Sequence, residues 1–286
     1  MPLKLGLVGS SEGNGHPYSW SAILNGYNKN LMEQCPYPSI PDYLGKEVVI
    51  AGSLGAAVSH IWSEDFFHSS EIAACSNIPN VCRDLDELLS SVDGVLHARD
   101  DFEQHPGFIQ KYINANLPCF IDKPFCLDSN SAKGLFALDP SQVLIFTCSA
   151  LLFSREFESL PTKTAKHISA TGPKDWDKYA IHLIEPSLKL LGNPLLIDSV
   201  KYPDNISSRF VKYFFENEKS LEVTTTGVSG TPFSFVIDHK TVTVSDYYSM
   251  FKSSLEKFIE FMITRNNPIS RAHTMQVISL LESGAK

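Results

Sequence analysis

The amino-acid sequence predicts an α/β N-terminal half built on a doubly wound parallel sheet. An α+β half with an open, mostly antiparallel sheet follows it. Three observations predict this. The first 150 residues alternate short apolar runs with helix-like stretches, the rhythm of β-α units. A glycine-containing loop, Gly9-Ser10-Ser11-Glu12-Gly13-Asn14-Gly15, follows the first apolar run. Beyond Leu196, strand-like runs succeed one another with no helical stretch between them, which calls for antiparallel pairing. The expected domains are residues 1–150 and 151–286.

Leu3 to Val8 reads as a buried parallel strand. After the glycine loop, Trp20, Ile23 and Leu24 lie at helical spacing. Residues 28–46 hold three prolines and read as an inserted surface loop. Ala57 to Trp62 is the next strand, and Ser69 to Cys75 a helix. Asp84 to Leu89 is a short helix with acids in its first turn, where the helix dipole favours them. Val92 to His97 is a strand, and Pro106 opens a helix whose Phe108, Ile109, Tyr112 and Ile113 form one stripe. Strands at Pro118 to Ile121 and Val143 to Cys148 flank a helix at Ser129 to Leu138. Right-handed crossovers put every C-terminal strand end on one edge, where ligands bind. This half is therefore expected to be a Rossmann-type domain.

The second half opens on a helix from Ile184 to Leu191, ended by Gly192. Strands follow at Leu196 to Tyr202, Arg209 to Phe215, Leu221 to Val228, Phe233 to Asp238 and Thr241 to Val244. The short Asp238-His239-Lys240 link reads as a hairpin. Phe251, Leu255, Phe258, Ile259 and Met262 mark an amphipathic helix, and Met275, Ile278 and Leu281 a last one. The sheet carries Phe214, Phe215, Phe233 and Phe235. Helices cover one of its faces, so the other is expected to pair with a second copy in a homodimer or higher homo-oligomer.

Composition narrows the function classes. Apolar residues make up 43% and charged residues 20% of the 286, an ordinary globular balance. The net charge of -8 argues against a nucleic-acid partner, which needs clustered cations. No apolar run reaches the roughly 20 residues that span a bilayer, and the start of the chain lacks the form of a signal peptide. The six cysteines are scattered without metal-ligand spacing and read as buried reduced thiols. A cytoplasmic protein without metal or membrane partner is expected.

The glycine loop has the strand–loop–helix context of a dinucleotide site, with backbone and helix dipole available to a phosphate. Its spacing departs from G-x-G-x-x-G: counting from Gly9, Ser11 and Asn14 hold the second and third glycine positions. Gly9, Ser10, Ser11 and Gly13 are the candidate phosphate contacts, and a plain tight turn is the other reading. At the end of the second strand, Ser63 stands where an acid would read the adenosine ribose. Ser63 leaves room for a 2′-phosphate while Glu64 and Asp65 oppose one, so NAD and NADP both remain open. Asp122-Lys123-Pro124 closes a strand, and a lysine there can serve proton transfer or stand as a surface residue before a turn. His182 and Glu185 share a helix face, so Glu185 could orient the imidazole; a helix-capping histidine is the alternative. Pro186 cannot donate to the His182 carbonyl, so the helix is expected to kink or to begin near it.

Several stretches together resemble the Gfo/Idh/MocA family of nicotinamide-dependent oxidoreductases. They are Leu3 to Gly9, "DLDELLSSVDGVLHA" (84–98), "NLPCFIDKPF" (116–125), "YAIHLIEPSLKLLG" (179–192) and "FKSSLEKFIEFMITRNNPI" (251–269). The resemblance implies a Rossmann domain beside an open antiparallel sheet. It implies an NAD- or NADP-dependent oxidation of a carbinol on a sugar, cyclitol or nucleotide-sugar. By position, Lys123 would meet the reacting oxygen, and His182 would be its general acid/base. Arg99, Asp100 and His105 would lie near the nicotinamide, with Asp122 replacing the family's Glu. Asp177, Lys178 and Tyr179 would face the substrate.

This sequence departs from the family in three ways. Lys178 stands where an Asp often precedes the histidine, Arg99-Asp100-Asp101 replaces a small residue, proline and Asn, and the stretch 150–176 is short. These departures leave a second reading: a family member without catalysis that senses a nucleotide or sugar-nucleotide, or serves as a partner subunit.

Overall fold

The computed structural model describes residues 2–158, 160, 164–202 and 208–285. The chain forms two compact units. One comprises residues 1–125, 134–147 and 251–268, and the other residues 126–133, 148–250 and 269–286. Neither is one continuous stretch, because the chain crosses between them five times rather than once near residue 150.

The first unit holds a six-stranded, all-parallel sheet. Its elements begin with β1 (Leu3–Val8), α1 (His16–Asn25), α2 (Lys29–Met32), α3 (Ser39–Leu44), β2 (Ala56–Trp62), α4 (Phe66–Cys75) and β3 (Asn80–Val81). They continue with α5 (Leu85–Leu89), β4 (Gly94–His97), α6 (His105–Asn114) and β5 (Cys119–Ile121). Helix α7 (Ser129–Ala137) and β6 (Ile145–Thr147) complete the order. The strands lie in the order β3-β2-β1-β4-β5-β6. The winding direction reverses between β1 and β4, so that edge is the ligand-binding edge of such a sheet.

Residues 28–46 are not a surface loop: α2 and α3 bury Met32, Ile40, Tyr43 and Leu44. The three prolines permit two short helices instead of one long one. An aromatic stack forms the core on one sheet face. Trp20 lies parallel to Phe120 at 4.7 Å, and Phe120 meets Phe146 edge-on at 4.8 Å. Phe258 closes the stack at 5.7 Å from both.

The second unit carries a mixed sheet, ordered β12-β11-β7-β10-β9-β8. Its elements are β7 (His167–Gly172), α8 (Trp176–Tyr179), α9 (Ile181–Leu191), β8 (Leu196–Lys201), β9 (Arg209–Phe215) and β10 (Lys219–Thr225). After β11 (Ser234–Ile237) and β12 (Lys240–Thr243) come α10 (Tyr247–Thr264), which from Phe251 onward belongs to the first unit, and α11 (Arg271–Ala285), which belongs to the second. Four of its five pairings are antiparallel; β7 pairs in parallel with β10. The expected hairpin is present, with Ile237 opposite Lys240.

Strand β7 was not expected. Its sequence, HISATG, is small and polar; it pairs with β10 and β11, and its alternate residues Ile168 and Ala170 are buried in the fold. Helix α9 starts three residues earlier than expected and runs through Pro186. It ends at Gly192 in the left-handed region, φ 82°, where glycine costs least. Tyr213 donates to the Leu280 carbonyl at 2.7 Å and Trp176 to that of Leu281 at 3.1 Å, tying the sheet and α8 to α11. Among the described residues, no helix is long and apolar enough to cross a membrane.

Candidate functional site

In the first unit, the loops after β1, β4 and β5 bring a polar cluster to the C-terminal edge of the sheet. The β1 loop contributes Ser11, Asn14 and His16. The Ser11 hydroxyl donates to Asp100 Oδ1 at 2.7 Å and accepts the Asp100 backbone N–H at 3.0 Å. This reciprocal pair ties the β1 loop to the β4 loop. The replacement of a glycine by Ser11 thus adds a specific contact.

Gly9 is required by close packing, because a Cβ there would come within 2.9 Å of the Pro17 ring. Gly13 has φ 77°, a conformation that disfavours side chains, and open space where a Cβ would stand. Helix α1 begins behind Gly15 without a side-chain cap.

Strand β5 ends in Asp122 and Lys123, both buried. Asp122 accepts from Asn14 Nδ2 at 2.8 Å, from His16 Nδ1 at 2.6 Å and from the Lys123 backbone at 2.7 Å. Burial by itself would raise this carboxyl. The charges of His16 and Lys123, with the hydrogen bonds from His16 and Asn14, outweigh it and hold the group well below the usual carboxylate range. Asp122 is therefore an ionised, buried anchor. Lys123 Nζ lies 3.8 Å from Asp100 Oδ2.

The β4 loop also contributes Arg99, whose side chain reaches the end of β2. It grips both oxygens of Glu64 at 2.5 and 2.6 Å and both of Asp101 at 3.0 and 2.6 Å, and lies over the Phe108 ring at 5.1 Å. Burial opposes this charge, but the hydrogen bonds to Asp101 and Glu64 hold the guanidinium protonated.

His105 is fully buried, and its two ring nitrogens face the carbonyls of Phe125 and Arg99, each at 3.1 Å. Burial pushes its pKa down. In this conformation the ring braces the loop and offers no nitrogen to a ligand. Ser63 is also turned inward: its hydroxyl donates to the Asp65 carbonyl at 2.8 Å and sits 2.6 Å from the Ser69 hydroxyl. The group that faces outward at the end of β2 is Glu64, 57% exposed. Asp65 caps α4 instead.

In the second unit, α9 presents His182. Its Nδ1 lies 2.7 Å from the hydroxyl of Ser149, which also accepts the Leu151 backbone N–H at 3.2 Å. The ring packs edge-on against Tyr179 at 5.7 Å and Phe233 at 5.2 Å. Glu185 accepts the Ser149 backbone N–H at 2.5 Å and so acts one residue removed, by holding Ser149 in place.

Burial pushes Glu185 up to about 8, against the lowering effects of the Ser149 N–H and Lys189. His273 Nε2 lies 3.7 Å from Glu185, and its Nδ1 pairs with Asn193 Oδ1 at 2.9 Å. Tyr179 accepts from Lys174 Nζ at 2.6 Å. Asp177 is exposed, and Lys178 is partly buried in the same short helix.

Sequence reading missed His16 and Ser149, and named Asn14 and Glu64 without placing them among the site residues. His16 had a local signal, standing first in the helix after the glycine loop. Ser149 had none, because its partner lies 33 positions away.

The first unit fits a dinucleotide on two counts. Glu64 faces outward at the end of β2, and Lys123 follows β5 on the same edge.

No family model matches the chain, and no curated protein matches it in sequence. Solved structures match it over nearly its whole length. It is similar to a UDP-N-acetylglucosamine 3-dehydrogenase from Acidithiobacillus ferrooxidans, with TM-score 0.72 and 12% identity over 100% of this chain and 97% of that one. It is similar to myo-inositol 2-dehydrogenase from Lactobacillus plantarum, with TM-score 0.73 and 11% identity over 100% and 96%. An Agrobacterium radiobacter oxidoreductase solved with NAD+, L-tartaric acid and magnesium matches with TM-score 0.68 and 11% identity over 100% and 96%. At such identities the likeness establishes a shared fold.

Proposed function

We propose that the protein is a nicotinamide-dinucleotide-dependent oxidoreductase acting on a carbinol of a sugar, cyclitol or nucleotide-sugar. The observation that carries this reading is Lys123. It is a buried lysine at the end of β5, ion-paired to Asp100 and next to an ionised Asp122, on the ligand edge of a doubly wound sheet. The similar folds of a nucleotide-sugar dehydrogenase and a cyclitol dehydrogenase support it.

The loop Gly9-Ser10-Ser11 and Gly13 would hold the dinucleotide phosphates at the start of α1, with Arg99, His105 and Asp122 shaping the loops around them. The dinucleotide, when bound, supplies hydride exchange. Lys123 would donate a hydrogen bond to the reacting oxygen. His182 would exchange a proton with it, and Tyr179, Lys178 and Asp177 would meet the rest of the substrate.

Ser63 is turned away, so Glu64 would read the ribose diol. A 2′-phosphate would meet Glu64 and Asp101, with Arg99 already engaged by both. NAD is therefore preferred to NADP. Tryptophan fluorescence titration tests this: NADH should saturate at micromolar concentration, and NADPH should bind at least about tenfold more weakly. Absence of binding by both up to millimolar concentration would refute the reading.

A second reading draws on the Arg99–Glu64 and Ser11–Asp100 contacts, which draw the three ligand-edge loops together. On that reading the protein binds a nucleotide as a sensor or partner subunit and turns nothing over. Oxidation of any polyol with cofactor reduction would exclude it.

A further inference from the structure

Resting on the dehydrogenase reading above, we propose that His16 is a further catalytic residue, the proton acceptor for the carbinol, held in its accepting tautomer by Asp122. The ionised Asp122 carboxylate can only accept. Nδ1 of His16, 2.6 Å from Asp122 Oδ2, therefore carries a ring proton, and in the neutral ring Nε2 is the nitrogen with the lone pair. Asp122 in turn is fixed by Asn14 and by the Lys123 backbone.

The ring cannot turn freely. It stacks on Trp20 at 4.9 Å and 12°, and meets the edge of Phe251 at 5.2 Å. Asp122 is the charged group that faces it; Trp20 and Phe251 are apolar, and Asn14 is neutral. The side chain is 17% exposed, and Nε2 makes no hydrogen bond among the described residues. His16 opens α1 directly behind the glycine loop, on the edge where the winding reverses.

The other two candidate groups are already paired within the protein. Lys123 is ion-paired to Asp100. The Ser149 hydroxyl accepts from Leu151 and pairs with His182 Nδ1. Of the three, His16 has a ring nitrogen with no hydrogen bond among the described residues.

In the oxidative direction the carbinol O–H proton passes to Nε2. The C–H hydrogen and its electron pair leave to the oxidised nicotinamide dinucleotide, the co-reactant. The resulting imidazolium sits against the Asp122 carboxylate, which offsets its charge as in other carboxylate–histidine pairs.

The test combines ring ¹⁵N spectra of the wild type with kinetics of His16→Gln and Asp122→Asn. Wild-type His16 should show a protonated Nδ1 and an unprotonated Nε2. His16→Gln should lower kcat for oxidation by about 100-fold and abolish the acidic limb of its pH profile. NADH affinity should stay within about threefold of wild type. Imidazole should partly rescue His16→Ala, which a purely structural role would not allow. A protonated Nε2 in the wild type, or an intact acidic limb in His16→Gln, would overturn the proposal while leaving the dehydrogenase reading standing. Failure of the wild type to bind either dinucleotide would overturn both.

Discussion

The hydroxyl of Ser149 stands 2.7 Å from Nδ1 of His182, and both are buried. This pair does in the second unit what a carboxylate does elsewhere: it orients the imidazole ring. The family resemblance places an Asp four residues before the histidine, and Lys178 stands there instead. Ser149 supplies an orienting partner from another part of the chain, and Glu185 fixes Ser149 through its backbone.

Replacing Ser149 by Ala removes that partner. The ¹⁵N shifts of His182 should change as its tautomer balance shifts. Turnover should fall by about 10- to 100-fold with dinucleotide affinity unchanged, and unfolding should become easier by about 1–2 kcal/mol. Unaltered ¹⁵N shifts in Ser149→Ala would show that the hydroxyl does not set the tautomer.

Glu185 and His273 give stability two opposed pH windows. The unfolded Glu185 carboxyl titrates near 4.5 and the folded one near 8. Between these values the native state binds more protons than the unfolded state, so stability falls as pH rises. His273 is pushed down to about 4, by burial first and by the Lys189 charge, from 6.5. Here the unfolded state binds more protons, so stability falls as pH drops from 6.5 towards 4. Each window has a limiting slope of about 1.4 kcal/mol per pH unit. The two slopes cancel between about 4.5 and 6.5, so urea titrations from pH 4 to 9 should show a plateau there and a fall above about 6.5. Glu185→Gln should remove the fall and turn the plateau into a rise with pH, and an unchanged upper slope would mean that Glu185 is ionised in the fold.

The open face of the mixed sheet presents Val200, Lys212, Glu222, Ser169 and Val236 as one cross-strand row, with Phe214 beside it. Val200, Phe214 and Val236 are each about 40% exposed. Lys212 and Glu222 pair within the row at 2.9 Å, leaving the surface without unbalanced charge and suited to a second copy of itself. Light scattering at micromolar concentration should give a dimer or larger, and Phe214→Glu should give a monomer. A monomeric wild type would leave this face without that role.

Much of the first sheet was legible because its strands are continuous apolar runs, and each burial pattern is local. Strand β7 was not legible: Ile168 and Ala170 are too few to mark a strand, and β10 and β11 supply the pairing. Residues 28–46 were misread for the opposite reason, since their prolines signal a loop while tertiary packing buries Met32 and Leu44.

The sequence by itself determined the β-α alternation, the position of the glycine loop, and the placing of Lys123 at a strand end. These follow from hydrophobic period and turn chemistry along neighbouring residues. The tertiary structure alone decided the partners. His16 meets Asp122 across 106 positions, and Ser149 meets His182 across 33. It also decided that Ser63 turns inward while Glu64 faces out. A hydrogen bond depends on a few tenths of an ångström and on ring orientation. Those are set by the packing of distant segments, which no local pattern of residues records.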